Sequence, residues 1–203
     1  MKITIIDYGV GNIASLRNAF SALNIPVEVT LQKAAIQQAE KLILPGVGAF
    51  APAIQRLKEK QFDKLIIEKA NQGTPILGIC LGMQLLFSTS YEQGEWPGLN
   101  LIPGTVHRFE KIKKIPHMGW NQIKKTPRAS LFEHTSAANY FYFVHSYFCK
   151  PDNEDHTAAT CEYGNAFCAA VQFNNICGVQ FHPEKSQNDG LQVLRNFAER
   201  TVQ

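Results

Sequence analysis

The stretch TPILGICLGMQLLF, residues 74–87, joins a short apolar run to a segment with the composition of a buried helix. Residues 74–79 predict a strand, and residues 80–87 predict a helix that follows it directly. Earlier apolar runs alternate with helical patterns, which is typical of parallel strands covered by helices on both faces. We predict the earlier strands at residues 2–6, 27–31 and 41–44, a helix at 12–23, and helical segments from after residue 48 to about residue 72.

The second half of the chain has a different pattern. Prolines, glycines and lysines interrupt every periodicity between about residues 94 and 126, so we predict an irregular segment there. Residues 189–200 predict a closing amphipathic helix. Further apolar runs follow one another without helices and predict antiparallel strands at 140–148, 158–162, 167–173 and 176–181. The fold class is therefore α/β: one domain, 1–203, with a central, mostly parallel sheet flanked by helices and antiparallel strands in its C-terminal half.

The composition excludes several classes of function. The 203 residues are 45% hydrophobic and carry a formal net charge of only +3, with basic side chains scattered among acidic ones. These values predict a folded domain with neither a nucleic-acid nor a membrane partner. The five cysteines form no CxxC pair, so we expect free thiols, no metal site and, without a signal-peptide core, a cytoplasmic protein.

The five residues GICLG, 78–82, lie at the junction of the predicted strand and helix and match a nucleophile elbow with cysteine in place of serine. The nucleophile of an elbow occupies a strained turn, and glycines on both sides let another backbone segment approach closely. The N-terminus of the following helix favours the thiolate. A cysteine is more often a small buried apolar residue, which is our interpretation of the other four. The strand-end position favours a nucleophile at Cys80.

A base for this thiol is found in the tripeptide HPE, residues 182–184, at the end of a predicted strand. On extended chain His182 and Glu184 lie on the same face, and the proline between them resists helix formation. His182 is then placed to accept the thiol proton, while Glu184 fixes its tautomer. A polar surface loop is the competing interpretation. We interpret the remaining histidines as structural: His107, His117, His134, His145 and His156.

The loop PGVG, residues 45–48, follows the third predicted strand and therefore emerges at the same edge of a parallel sheet as Cys80. Acyl transfer needs donors for the oxyanion of the tetrahedral intermediate. The glycines free the backbone at Val47 and Gly48 to turn its amides inward, and the amide of Leu81 is the second expected donor. An ordinary strand-to-helix turn is the competing interpretation.

Together, the PGVG loop, the string GICLGMQLLF and the string HPEKS resemble the class I, or triad, glutamine amidotransferase family in order and spacing. The strings DYGVGN (7–12), PHMGWN (116–121) and YFVHSY (142–147) resemble in particular the glutaminase subunits of imidazole glycerol phosphate synthase. The resemblance implies an enzyme without cofactors that hydrolyses glutamine to glutamate and ammonia through a γ-glutamyl thioester. The catalytic residues it implies are Cys80, His182 and Glu184.

The resemblance also implies a glutamine site and a partner. Carried over at matching positions, Gln84 and Glu92 would hold the head group of glutamine, with backbone at Gly48 and around Ser146 and Tyr147 completing the pocket. In such proteins the ammonia passes to a (β/α)₈-barrel cyclase subunit, a heterodimer partner that makes imidazole glycerol phosphate and the aminoimidazole carboxamide ribotide in histidine biosynthesis. The 203 residues leave no room for a barrel, which needs about 250 residues.

Two positions match residues that face the cyclase in similar proteins, Asn12 and Lys185. The resemblance further implies that the isolated glutaminase is almost inactive and that the liganded cyclase reorients the peptide at Val47. Glycines on both sides of Val47 would make such a rotation sterically easy.

Two alternatives stay open. GVGNIA, residues 9–14, fits the dinucleotide-binding fingerprint between a strand and a helix, although Thr30 or Gln32 stands where that fingerprint wants an acid. A closer alternative keeps the chemistry and changes the client, as in a paralogous subunit that feeds ammonia to a synthase of surface-sugar biosynthesis. The glutaminase of pyridoxal phosphate synthase fits less well, because GICLGMQLLF and HPEKS are closer to the histidine branch.

Overall fold

The computed structural model describes residues 2–110, 114–127 and 129–199, which form a single α/β domain. The helices lie at α1 (Ile13–Ala22), α2 (Lys33–Gln37), α3 (Phe50–Glu59), α4 (Phe62–Asn71), α5 (Leu81–Leu85) and α6 (Gln187–Glu199). The strands lie at β1 (Ile3–Ile6), β2 (Val27–Thr30), β3 (Lys41–Leu44), β4 (Ile76–Ile79), β5 (Phe87–Ser90), β6 (Trp96–Pro97), β7 (Ile102–Arg108), β8 (His117–Lys125), β9 (Tyr140–His145), β10 (Tyr147–Pro151), β11 (Thr157–Tyr163), β12 (Asn165–Phe173) and β13 (Ile176–Val179).

The strands form one continuous sheet whose main path runs β2-β1-β3-β4-β13-β12-β10-β7-β5-β6. The part from β2 to β13 is parallel. From β12 outward most pairs are antiparallel, and β11, β8 and β9 continue the sheet from β12 as a branch. The predicted combination of a central parallel sheet with antiparallel strands in the C-terminal half is confirmed.

Helices cover both faces of the parallel part. One face packs against α1 and α6, whose apolar stripes include Phe20 and Phe197. The other face packs against α2 to α5, which bury residues such as Phe50 and Phe62. Strands β1, β3, β4 and β13 are buried along their whole length, as expected of parallel strands with helices on both faces.

The predicted strands and helices of the first half are present, within one or two residues at most ends, and α2 was not predicted. The predicted helix 80–87 was too long: α5 stops at Leu85, and Phe87 begins strand β5. This short helix ends early because Leu85 and Phe87 use their carbonyls to pair with the loop at residues 99 and 100.

The prediction of an irregular segment from residue 94 to 126 was wrong for most of its described part. Strands β7 and β8 lie there, and they form despite prolines and glycines because long-range partners β10 and β9 supply their hydrogen bonds. The predicted strand 140–148 is two strands, β9 and β10, divided at Ser146. Residues 111–113 of that segment and residue 200 of the predicted last helix lie outside the described residues.

Within the described ranges, none of the helices combines the length and the apolar character needed to cross a membrane.

Candidate active site

Cys80 lies between β4 and α5 in a strained backbone conformation, with φ 54° and ψ −110°. Backbone packs closely against both flanking glycines: a Cβ at Gly82 would lie 1.8 Å from the Leu44 carbonyl oxygen, and one at Gly78 would lie 2.7 Å from the Gly82 oxygen. The backbone amide of Cys80 donates to Val179 on the neighbouring strand, at 2.8 Å. Only glycines on both sides of the cysteine permit this turn.

Strand β13 brings the histidine and the glutamate to the same edge of the sheet as Cys80. β13 is parallel to β4, with Val179 opposite Ile79, so the residues that follow each strand emerge together. The Nδ1 of His182 lies 2.8 Å from Oε1 of Glu184, and both side chains are almost completely buried. The backbone amide of His182 donates to the Tyr142 carbonyl at 2.9 Å, which fixes the turn between β13 and α6.

The electrostatic state of His182 follows from its neighbours. Burial lowers its pKa, but contacts with Cys80 and Glu184 outweigh burial and raise the pKa to about 10. The imidazolium is therefore the favoured form at neutral pH. Its Nε2 is buried without a hydrogen-bond partner among the described residues, so this ring atom is free to exchange a proton.

The predicted oxyanion loop lies beside the cysteine. Val47, Gly48 and Leu81 line the same cleft as Cys80. The hydroxyl of Tyr8 donates to the Pro45 carbonyl at 2.8 Å and clamps the start of the loop. Burial is the main cause that raises the pKa of Tyr8 far above its ordinary value, so this hydroxyl remains a donor.

A cleft of about 480 Å³ opens over Cys80, in the range of small-molecule sites. It brings together all four residues predicted to bind glutamine: Gln84, Glu92, Ser146 and Tyr147. Oε2 of Glu92 accepts a 2.8 Å hydrogen bond from the amide of Phe50 at the start of α3. Burial raises the pKa of Glu92, and this hydrogen bond partly offsets the effect.

The two residues predicted to face a partner lie behind the cleft. Asn12 caps helix α1, its side chain accepting from the Ser15 amide at 3.3 Å, and it lines a small cavity shared with His182 and Glu184. Lys185 is exposed, with its ammonium 5.8 Å from the centre of the Tyr142 ring. Neither residue lines the main cleft.

Sequence reasoning missed several residues of this region. Arg108 lines the cleft from β7, a strand that was predicted as irregular chain. His145, which was interpreted as structural, lines it too, and its Nδ1 lies 2.7 Å from the Tyr147 carbonyl oxygen. Gln180, the residue after β13, lies with its Nε2 3.7 Å from the Cys80 sulfur. The sequence signal that could have found Gln180 is its position in the string QFHPE. Because β4 and β13 are neighbours, this residue lies level with Cys80.

Other chemistries have little support. No disulfide joins any of the five cysteines, and the described residues contain no cluster of histidine, cysteine and acid suited to a metal ion. At the fingerprint-like loop, the Arg56 guanidinium donates to the Gly9 carbonyl oxygen at 2.5 Å, and Thr30 accepts from the Gln32 amide at 3.0 Å. The position that a dinucleotide site needs for an acid is therefore occupied by a threonine engaged in a local turn.

A cysteine held on a strand–helix elbow beside a buried histidine–carboxylate pair is the arrangement of an α/β protein that works through a thiol nucleophile. The chain belongs to the family described as glutamine amidotransferase class-I, whose model matches residues 4–201.

Proteins with similar sequences are consistent with this family assignment. The chain is 50% identical over 197 residues to "Imidazole glycerol phosphate synthase subunit HisH" of Moorella thermoacetica, covering 97% of this chain and 94% of the relative. The protein of the same name from Chlorobaculum tepidum is 46% identical over 199 residues, with 97% and 99% covered. Two solved structures share the fold at 17% identity, each covering 97% of both chains: a glutamine amidotransferase with a TM-score of 0.77, and PurLQS from Thermotoga maritima with 0.74.

Proposed function

We propose that this chain is the glutaminase subunit of an imidazole glycerol phosphate synthase and that Cys80, His182 and Glu184 are its catalytic residues. The observation that carries the proposal is the buried His182–Glu184 pair beside a cysteine on a strained elbow, at the floor of a cleft of about 480 Å³. The synthase identity is supported by relatives that carry this name at 45–50% identity over nearly the whole chain.

The geometry supports the following sequence of steps. The thiolate of Cys80 attacks the side-chain amide carbon of glutamine, and the carbonyl oxygen becomes an oxyanion. The amide of Leu81 and the backbone at Val47 and Gly48 stabilise that oxyanion. The imidazolium of His182 gives its Nε2 proton to the nitrogen as the C–N bond breaks, which releases ammonia and leaves a γ-glutamyl thioester.

The thioester is then hydrolysed by the same residues. Neutral His182 takes a proton from a water molecule, whose oxygen attacks the thioester carbon. The C–S bond breaks, glutamate leaves, and the thiolate–imidazolium pair is restored. Glu184 accepts a hydrogen bond from Nδ1 throughout and keeps Nε2 directed at the reacting atoms.

The walls of the cleft suit glutamine as the substrate. The carboxylate of Glu92 and the side chain of Gln84 offer acceptors for an α-ammonium group, and Arg108 contributes a positive charge to the same cleft. Ser146 and Tyr147 line the same cleft. We assign these residues to the recognition of the amino-acid end of glutamine, which leaves its side-chain amide over Cys80.

A surface beside the site supports a protein partner, which we propose is the (β/α)₈-barrel cyclase in a heterodimer. Large apolar side chains on the outer face of β8 and β9 are exposed, among them Met118 at 59%, Trp120 at 47% and Tyr140 at 49%. Such a patch on a globular protein marks an interaction site. Lys185 lies over Tyr142 at the margin of this patch, one residue from Glu184. A partner that covers the patch would therefore reach the back of the catalytic pair.

The same proposal includes control of the oxyanion loop by the partner. Gly46 is tightly packed, since a Cβ there would lie 2.8 Å from the Tyr8 hydroxyl, whereas Gly48 has φ +92° and open space around it. Val47 between them is 41% exposed. The Val47–Gly48 peptide is therefore the part of the loop that is free to rotate while its start stays clamped.

The test compares two nitrogen sources in the reconstituted complex with the cyclase and its formimino substrate. Cys80→Ala is expected to abolish glutamine-dependent synthesis, while synthesis from added ammonia survives, because the ammonia reaction needs no thiol. Loss of both activities would mean that Cys80 is structural. The glutaminase activity of the isolated wild-type chain is expected to be low and to rise greatly with the liganded cyclase.

If the histidine-pathway cyclase does not raise the low glutaminase activity of the isolated chain, while Cys80 is still reactive towards iodoacetamide, the result would indicate a different client synthase. Full activity of the isolated chain would contradict control through the loop.

A further inference from the structure

The residue that follows β13, Gln180, contacts the nucleophile directly. Its Nε2 lies 3.7 Å from Sγ of Cys80, within the range of an N–H···S hydrogen bond. The side chain is completely buried. The contact is built by the sheet itself, because Val179 and Ile79 are opposite each other and the next residue on each strand is therefore also level.

The orientation of the Gln180 amide is fixed by its neighbours. The Nε2 of Gln84 donates to the Tyr147 carbonyl at 3.2 Å, and a carbonyl can only accept, so this end of Gln84 must be its NH₂ group. The same Nε2 donates its second hydrogen to Oε1 of Gln180, at 3.1 Å. With its oxygen engaged as an acceptor, Gln180 presents its NH₂ group to the sulfur.

The sulfur of Cys80 therefore has one hydrogen-bond donor, Gln180, and a second proton-bearing group, the ring of His182, as a neighbour. Gln180 offers a neutral N–H, and His182 is an imidazolium at neutral pH because its pKa is raised to about 10. A thiol, which must also place its own hydrogen, fits such surroundings less well than a thiolate, which only accepts. Hydrogen bonds to a charged group are about twice as strong as neutral ones.

We propose that Gln180 is a further catalytic residue, which donates a hydrogen bond to the Cys80 thiolate and stabilises it in the resting enzyme. Gln84 acts through it as a positioning residue. This inference rests on the proposed role of Cys80 as nucleophile. A purely structural Gln180 would fill the space between β13 and α5 without altering the reactivity of the sulfur.

The test is the pH dependence of alkylation of Cys80 by iodoacetamide in the full chain, followed by mass spectrometry of the Cys80 peptide. Gln180→Met keeps the length of the side chain and removes the donor. We expect the midpoint of the alkylation profile to rise by about one pH unit, which corresponds to about a tenfold loss of stabilisation. With the cyclase bound, kcat for glutamine is expected to fall about tenfold with KM within about twofold, since the lost contact is to the reacting atom.

A second variant and a matched control complete the design. Gln180→Glu keeps the hydrogen bond from Gln84 and places a carboxylate beside the sulfur, so its midpoint is expected to rise further than that of the Met variant. The Gln180→Glu variant also provides the test if the Gln180→Met variant does not fold. Gln172→Met on β12 removes another amide, one whose oxygen is buried without a partner among the described residues, and is expected to leave the midpoint unchanged.

The outcomes separate this inference from the proposed function. An unshifted midpoint in both Gln180 variants, with Cys80 still reactive and wild-type glutaminase activity present, overturns the role of Gln180 alone. A wild-type complex that does not hydrolyse glutamine overturns the proposed function, whatever the alkylation profiles show. Binding of each variant to the cyclase is expected to match that of the wild type, which would confirm that the fold of the variant is intact.

Discussion

Two buried histidines beside the same cleft are in opposite electrostatic states. His182 follows β13, contacts Cys80 and Glu184, and has its pKa raised to about 10 despite burial. His145 ends β9, and burial is the main cause that lowers its pKa to about 3, with the neighbouring His117 and His182 adding to the effect. Burial is common to both, so the difference comes from their partners: Cys80 and Glu184 for His182, and other histidines and aromatic rings for His145.

The hydrogen bonds of His145 explain why it remains neutral. Its Nδ1 must donate to the Tyr147 carbonyl, so its Nε2 accepts from Nδ1 of His117 at 2.9 Å. Nε2 of His117 in turn accepts from the Asn121 side chain at 3.2 Å. All four ring nitrogens of His145 and His117 have hydrogen-bond partners when both histidines are neutral. An added proton would place two donors face to face. A histidine at a cleft is thus not by itself a base.

The largest expected effect tests the partner that distinguishes His182. Glu184→Gln removes the carboxylate that orients and stabilises the imidazolium, so kcat for glutamine in the complex is expected to fall about 10²-fold or more. Glutamine-dependent turnover with the cyclase measures it. The control is Glu133→Gln, an exposed acid beside His134, for which activity close to the wild type is expected. Equal activity of both variants would remove Glu184 from the mechanism.

The second prediction concerns stability at alkaline pH. Because the folded-state pKa of His182 is above its value of 6.5 in the unfolded chain, the stabilisation is complete below pH 6.5 and is lost as the pH rises towards about 10. The difference in free energy of unfolding between wild type and His182→Gln is expected to shrink by about 2 kcal/mol from pH 6.5 to 9.5. Urea unfolding at several pH values measures it, and a constant difference would contradict the raised pKa.

The third prediction concerns His145, for which the free energy of unfolding changes with pH in the opposite direction and by a smaller amount. The folded-state pKa of His145 is below 6.5, so its contribution is present above pH 6.5 and is lost as the pH falls towards about 3. Gln at this position keeps one donor for the Tyr147 carbonyl and one acceptor for His117 but does not titrate. Between pH 7.5 and 5.0 the wild type is expected to lose about 1 kcal/mol more stability than His145→Gln, measured by urea unfolding. Equal losses would mean that His145 is already charged or not buried in solution.

Much of the fold and of the candidate site was predictable because it depends on local pattern. The first four strands end where turn signals follow apolar runs, and the elbow glycines mark the residue between them. The middle of the chain was not predictable in the same way, because β7 and β8 carry prolines and glycines. They are strands because β10 and β9 pair with them across 43 and 28 residues of sequence, as the ladder pairs Val106–Cys149 and His117–His145 show. Such pairing leaves no mark in a local window.

By itself the sequence determined the order of the chemical groups along the chain: the PGVG loop, the cysteine between glycines, and the histidine and glutamate two residues apart. Only the tertiary structure decided their states. Placing β13 beside β4 set Gln180 level with Cys80, and burial among different partners raised the pKa of His182 while lowering that of His145. The physical reason is range: strand ends and turns follow from neighbours in the chain, whereas hydrogen-bond direction and charge depend on groups that only the folded sheet brings together.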